Sequence, residues 1–300
     1  MNLRVPDAVA NAAAAGGAGG WLRGLPGLVA ELEAEWSVSV GRPFPHSSEA
    51  FVAEATLADG TPAVLKLLVP HDGAVGRHEI TMLRLSGGRG CVRLLRDDPA
   101  RGALLLERLG PSLCELGRPL AEQLEVLVAV AATVWRPVAG SGLPTGAGKA
   151  RQLAGFVTTQ WEELGRPCTE AAVEHALACA ARRIAAHDDE RAVLVHGDVH
   201  QLNALQVPGR GTFKLVDPDG LVAEAECDLG VMMRNDPLEL LDGDPWARAH
   251  WLAARCGLDA TAIWEWGVVE RVTSGLRCTR VNLQPLGRHM LRVADRLANL

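Results

Sequence analysis

The sequence predicts an α+β protein in which a small antiparallel sheet comes first and a larger, mainly helical part follows. Three observations carry this. Between Ser37 and Leu106, short β-rich apolar runs alternate with Gly, Asp and Pro turns. From Ala121 onward, the apolar residues recur at helical spacing. Between the two helical stretches lies a segment, Val195 to Asp219, in which very short apolar runs enclose polar residues. At 300 residues, with 48% hydrophobic and 22% charged residues, the chain has the make-up of a soluble globular protein, long enough for two lobes with substantial cores.

The N-terminal twenty residues are Ala-rich, with Arg4 as their single charged base and Pro6-Asp7 interrupting them. They read as a loose or helical leader rather than a secretory signal. Trp21 to Trp36 is predicted helical, with Leu22, Leu25, Leu28, Val29 and Leu32 on one face and Glu31, Glu33 and Glu35 on the other. Strands are predicted at Ser37–Val40, Phe51–Leu57 and Ala63–Val69, the last two joined by a hairpin turn over Ala58-Asp59-Gly60-Thr61. A helix over Ala74–Leu85 follows. Two more strands, Cys91–Leu95 and Ala103–Leu106, flank a turn at Asp97-Asp98-Pro99 and complete five strands. Glu107 to Pro111 breaks the pattern and reads as a hinge.

Beyond the hinge, Ala121–Trp135 has a clear apolar face. Gly140 to Lys149 is rich in Gly and Pro and reads as a loop. Its Gly146-Ala147-Gly148-Lys149 is no Walker sequence, because Leu143 and Ala150 stand where Gly and Ser or Thr are needed. Helices are expected at Ala150–Leu164, Thr169–His187, Trp246–Cys256, Ala260–Thr273 and Gly287–Leu300, the tail tryptophans belonging to the core.

The segment from Val195 carries the chemistry. It holds His196-Gly197-Asp198, Asn203 five residues after that Asp, and Asp217 at the end of an apolar run. A protein kinase's catalytic loop has the same punctuation, an Asp accepting the hydroxyl proton and an Asn and a further Asp holding Mg²⁺. Hard cations between phosphates need carboxylate and amide oxygens, which these are. Short strands at 193–195, 204–207 and 213–216 around the turn Pro208–Gly211 would bring Asn203 and Asp217 to one end of a hairpin.

Only three of the thirty Lys and Arg residues are lysine: Lys66, Lys149 and Lys214. Lys66 lies in an otherwise apolar strand, where an unpaired ammonium is costly. Glu79 on the following helix is its expected partner. The net charge of −6 and the absence of basic runs exclude generic nucleic-acid binding. Seven cysteines without a C-x-x-C pair point to reduced thiols in the cytoplasm, and no apolar run approaches a membrane span.

With these residues set out, the chain resembles the aminoglycoside phosphotransferases, most closely the streptomycin 6-kinase (aminoglycoside/hydroxyurea resistance kinase) branch. The resemblance runs over most of the chain. It is carried by Val5-Pro6-Asp7, the lysine strand Ala58–Leu67, Val92–Leu95 with Leu104–Leu109, the His196-Gly197-Asp198-Val199-His200 segment with Asn203, and Val216-Asp217-Pro218 with Asp228-Leu229. It implies a protein-kinase-like bilobal fold. Residues 1–106 would be the N-lobe (leader helix, five-stranded antiparallel sheet and one helix), 107–111 the hinge, and 112–300 the helical C-lobe with the catalytic and metal loops.

The resemblance further implies that Asp198 is the catalytic base, that Asn203 and Asp217 bind Mg²⁺, and that Lys66 binds the phosphates of ATP with Glu79 in support. Hinge residues Glu107 and Leu109 would meet the adenine. The γ-phosphoryl group would pass to a hydroxyl of an aminoglycoside, the 6-hydroxyl of streptomycin foremost, giving antibiotic resistance. Another aminoglycoside, hydroxyurea or a metabolite is the alternative. The protein would act as a monomer without nucleic-acid or membrane partners.

Streptomycin carries guanidinium groups, and carboxylates pair with these in a bidentate way. Glu224, Glu226 and Asp228 are therefore expected to form the substrate site, with Asp228 also suited to bracing the catalytic loop. Two departures stand out. No G-x-G-x-x-G precedes Lys66; Pro43 to Ala50 occupies its place, and its Ser47-Ser48-Glu49-Ala50 offers backbone N–H groups to phosphates. Asp217-Pro218-Asp219-Gly220 replaces the D-F-G of protein kinases, which argues against a protein substrate. A metalloenzyme built on His196, Asp198 and His200, and a nucleotide-binding module without turnover, are the rival classes.

Overall fold

The computed structural model describes residues 3–45, 47, 49–70 and 75–299. It divides into two compact units, Met1–Gly110 with Val207–Gly209, and Pro111–Gln206 with Arg210–Leu300.

In the first unit, helices α1 (Asp7–Ala15) and α2 (Gly19–Trp36) precede strands β1 (Val38–Pro43), β2 (Ala50–Leu57) and β3 (Pro62–Leu68). Leu25, Val29 and Leu32 of α2 bury one face, sharing a core with Val38, Val40, Phe51, Leu65 and Leu67. Chain direction changes at Ser37, which takes a left-handed conformation (φ 54°). Glu33 then accepts the N–H of Val40 at 2.7 Å and so ties the helix end to the first strand. The β2–β3 turn needs Gly60 at φ +85°, and Asp59 accepts the Thr61 N–H at 2.9 Å.

All five strands pair antiparallel in the order β1-β2-β3-β5-β4, with β4 at Leu94–Asp98 and β5 at Ala103–Glu107. Lys66 thus sits in the middle strand, opposite Val52 on one side and Leu104 on the other. Helix α3 spans Val75–Ser86; the expected first residue, Ala74, lies outside the described residues.

The fourth strand is displaced from its expected place. Cys91–Leu95 was the apolar run, yet the ladder to β5 runs from Leu94 to Asp98. The expected turn residues Asp97 and Asp98 are therefore strand residues, and the turn begins at Pro99. Asp98 decides this, for its carboxylate accepts the N–H groups of Ala100 and Arg101 at 2.9 and 3.1 Å. An edge strand with one partner tolerates such charges.

The second unit is built on helices α4 (Leu120–Val134), α5 (Gly146–Glu163), α6 (Glu170–Ala186), α7 (Glu226–Met232), α8 (Ala247–Cys256), α9 (Ala260–Arg280) and α10 (Leu286–Leu297). Two short ribbons are inserted: β6 (Val193–Val195) with β9 (Leu221–Ala223), and β7 (Ala204–Gln206) with β8 (Phe213–Leu215). The strand at 221–223 was not expected.

Two expectations about helices need correcting. Gly146 to Lys149 is not loop but the first turn of α5, because Thr145 caps the helix by accepting the N–H of Gly148 at 3.1 Å. Helix α9 continues seven residues past Thr273. Every residue from Ala262 to Leu276 is buried, so the helix has no polar face for a periodicity argument to find.

Helix α7 crosses α9 with backbone against backbone. A Cβ on Gly230 would lie 2.2 Å from Cβ of Trp266, and one on Gly267 would lie 2.5 Å from Cβ of Met233. Gly230→Ala should therefore lower stability by about 1–3 kcal/mol, as overpacking a tight contact does. Urea unfolding checks this, and an unchanged midpoint would refute the close crossing.

Candidate active site

Asp228, in the first turn of α7, has no exposed surface. Its Oδ2 accepts the His196 N–H at 3.1 Å and the Trp135 indole N–H at 2.9 Å, and its Oδ1 accepts the Gly197 N–H at 2.7 Å. Burial raises the pKa of this carboxyl, and these hydrogen bonds resist the rise. Gly197 (φ +88°) is required where the chain turns, since a Cβ there would sit 2.5 Å from Leu221 and 2.9 Å from Asp219.

The loop that follows β6 is shaped by its own histidines. His196 is fully buried; its Nδ1 accepts the Asp198 N–H at 3.3 Å, so its Nε2 carries the proton and donates to Val216 O at 3.0 Å. Burial pushes its pKa down, which keeps the ring neutral. With both nitrogens used, His196 is no metal ligand. Among the described residues, no three His, Cys, Asp or Glu residues form a metal-binding group.

The Asp198 carboxylate is half-buried and gripped from three directions. Arg234 donates to Oδ1. His200 Nε2 donates to Oδ2 at 3.1 Å, its Nδ1 being occupied by the Leu202 N–H at 3.2 Å. Asn203 Nδ2 reaches Oδ2 at 3.2 Å and the Asp198 carbonyl at 3.1 Å. An ionised carboxylate has about four acceptor sites, so capacity for one further donor is left. Burial pushes the Asp198 pKa up, but the Arg234 guanidinium, then His200 and Lys149, more than reverse this and hold it well below the usual carboxylate range.

Asn203 and Asp217 come to the same end of the β7–β8 ribbon, as Val216 N–H donates to Asn203 O at 2.9 Å next to the Ala204–Leu215 pair. With Nδ2 of Asn203 turned to Asp198, its amide oxygen is the atom left for a cation. Asp217 is exposed and left-handed (φ 56°), a conformation that aspartate tolerates better than most residues. An amide and a carboxylate oxygen suit Mg²⁺.

In the first unit, Lys66 Nζ lies 2.7 and 2.8 Å from the two carboxylate oxygens of Glu79, and both residues are buried. Glu107 ends β5, its carboxylate accepting the Arg93 N–H at 2.7 Å, and Leu109 is buried. Of the segment standing where a glycine-rich loop would lie, Ser47 donates to Phe44 O at 3.1 Å, while His46 and Ser48 lie outside the described residues.

The three carboxylates expected to face a cationic substrate are turned to protein partners. Asp228 is the internal brace just described. Glu224 accepts from the Trp266 indole at 2.7 Å and pairs with Arg183 at 3.1 Å, and Glu226 accepts the Asp259 N–H at 3.1 Å. Sequence reasoning missed Lys149, Arg234 and Glu270, which lie around Asp198. Lys149 Nζ sits 2.9 Å from Glu270, 3.4 Å from Asp219, and donates to Gly197 O. The rarity of lysine was a signal for Lys149; nothing in the sequence marked the other two.

The fold is that of the protein-kinase-like phosphotransferases. An aminoglycoside phosphotransferase solved with ADP and hygromycin B is similar over 90% of this chain and 97% of its own, with a TM-score of 0.60 and 14% identity. Choline kinase LicA from Streptococcus pneumoniae is similar over 91% and 97%, with a TM-score of 0.60 and 11% identity. At such identities the likeness is one of fold. The sequence carries the family: residues 36–282 match aminoglycoside/hydroxyurea antibiotic resistance kinase, and the chain belongs to that family. It is 36% identical over 223 residues to the hydroxyurea phosphotransferase of Kitasatospora aureofaciens, covering 71% of this chain and 63% of that relative's length. To the streptomycin 6-kinase of Streptomyces griseus it is 29% identical over 237 residues, covering 76% and 74%.

Removing the brace should be costly. Asp228→Ala would strand two buried backbone N–H groups and an indole N–H, each worth about 1–3 kcal/mol when left without a partner. A loss of at least about 2 kcal/mol in urea unfolding is expected; a variant as stable as the parent would refute the bracing role.

Proposed function

We propose that this protein is an ATP-dependent phosphotransferase acting on a hydroxyl of a small molecule of the aminoglycoside or hydroxyurea class, and so confers resistance. One observation carries the reading: the Asp198 carboxylate stands in a braced loop, gripped by three donors with room for a fourth, beside the ribbon end that bears Asn203 and Asp217. Asn203 and Asp217 would hold Mg²⁺, and Lys66, oriented by Glu79, would hold phosphates. Residues 107–111 would serve as the hinge, with backbone groups at Glu107 and Leu109 meeting the base. Bound ATP and Mg²⁺ supply the phosphoryl group and neutralise its charge.

The chain's own contribution is positioning. Held well below the usual carboxylate range, Asp198 is a weak base. It orients the acceptor hydroxyl and takes its proton only as the bond to phosphorus forms, which suits a loose transition state. The protein works on this reading as a cytoplasmic monomer; among the described residues, no helix is long and apolar enough to cross a membrane.

Streptomycin, at its 6-hydroxyl, is the first acceptor to consider, and the streptomycin 6-kinases among the relatives support it. With Glu224, Glu226 and Asp228 engaged by protein partners, the exposed Asp236, Asp242 and Asp244 are carboxylates open to its guanidinium groups. Hydroxyurea is the second, favoured by the 36% identical relative. A neutral acceptor of that size needs no acidic surface.

Purified protein with ATP and Mg²⁺, offered each acceptor separately and followed by mass spectrometry, should add one phosphoryl group to at least one of them. Asp198→Asn should lose activity by about 10² or more, as when a positioned base is removed. Omitting Mg²⁺ should abolish transfer, whereas a zinc chelator should leave it intact. Wild-type protein that phosphorylates neither compound would sink the acceptor assignment, and failure to bind ATP would sink the kinase reading.

A further inference from the structure

Behind the Asp198 loop lies a chain of buried charge that the proposed reaction does not by itself require. Glu270, in the middle of α9, is 4% exposed and binds two cations, one with each oxygen. Its Oε1 is 2.9 Å from Lys149 Nζ, and its Oε2 is 3.1 Å from Arg234 Nη1. Ser274, one turn further along α9, accepts from the same Arg234 nitrogen at 3.0 Å. The two cations then reach two neighbouring residues of the loop. Arg234 Nη2 donates to the Asp198 side chain, and Lys149 Nζ donates to the carbonyl of Gly197, one residue before it.

We propose that Glu270 positions Asp198 for phosphoryl transfer by orienting Arg234 on its side chain and Lys149 on the carbonyl of the preceding residue, Gly197. The proposal rests on the phosphotransferase reading. Arg234, Lys149 and Glu270 are positioning residues: they act through Asp198.

Geometry supports this over a purely structural role. A single carboxylate already buried could be neutralised by one cation; here it holds two, one aimed at the Asp198 side chain and the other at the carbonyl of Gly197 just before it. Arg234 can arrive because it follows directly on α7, where the Gly230–Gly267 crossing brings that helix end down onto α9. Lys149 can arrive because the Thr145 cap starts α5 early enough to put it in the first turn. Arg234 also occupies Oδ1 together with none of the other donors, so it limits the directions from which an acceptor hydroxyl can approach the carboxylate. Net charge matters as well. Two cations face Asp198, Asp219 and Glu270, so most of the carboxylate charge is balanced inside the cluster.

The test compares Arg234→Gln, Arg234→Lys and Glu270→Gln with wild type by steady-state kinetics, alongside hydrogen exchange of peptides covering residues 196–203. Arg234→Gln and Glu270→Gln should lower kcat by 10-fold or more while the KM for ATP stays within about threefold, since truncating a positioning contact weakens the transition state more than nucleotide binding. Arg234→Lys, which keeps the charge and folds most safely, should recover part of the lost kcat. The 196–203 peptides should exchange at least 10-fold faster in the two Gln variants.

A folded Arg234→Gln variant with kcat within twofold of wild type overturns the proposal. So does an equal loss in Arg234→Lys and Arg234→Gln with unchanged exchange. If wild type transfers phosphate to neither acceptor, the functional reading falls, and the exchange data alone decide the clamp: unchanged exchange in Glu270→Gln overturns it.

Discussion

Charge taken out of water has to be neutralised where it lands, and this constraint organises both units of the protein. A carboxylate in the interior is stable only with cations or N–H donors around it, and losing one partner costs several kcal/mol because the other is left behind. Lys66 with Glu79, Asp228 with three N–H donors, and Glu270 with Lys149 and Arg234 are three answers to that demand. Each ties one element of the fold to another. The ion pair in the first unit joins the middle strand to the following helix. In the second unit, Asp228 joins α7 to the loop after β6, and Glu270 joins α9 to both α5 and the end of α7.

The consequence for chemistry is rigidity where a hydroxyl would be held. The loop containing Asp198 has little secondary structure of its own, yet its backbone N–H groups at 196 and 197 are fixed by Asp228 and its side chains by His200, Asn203 and Arg234. A reaction that depends on positioning more than on covalent chemistry needs this kind of support. The same supports explain why the glycines at 197, 230 and 267 are where they are. Each marks a place where a Cβ would collide with a neighbour that the site needs.

Much of the fold was legible in the sequence. The alternation of β-branched residues and turns before residue 106, and the order Asp198, Asn203, Asp217, point to the sheet and to the loop because they depend on neighbours in the chain. The displaced strand β4 was not legible in the same way: an apolar run at Cys91–Leu95 competed with a ladder that the Asp98 turn placed three residues later. The start of α5 was hidden because glycines signal loops, whereas a threonine cap decided it. The end of α9 was hidden because a helix buried on all sides has no periodic polar face.

What local sequence determined by itself was the set of chemical groups: a strand lysine with a helix glutamate, a His-Gly-Asp loop with its asparagine, and an aspartate closing a hairpin. Those motifs are short enough for spacing to fix their geometry. Which carboxylates face inward was decided only by the tertiary structure. Glu224, Glu226 and Asp228 are alike in sequence, being acids two residues apart, yet Asp228 is sealed against N–H donors while Glu224 meets Arg183. Arg234 and Glu270, 36 residues apart, became neighbours of Asp198 because two glycines let α7 and α9 touch. Burial and long-range pairing depend on how helices cross, and that crossing is written in no single stretch of the chain.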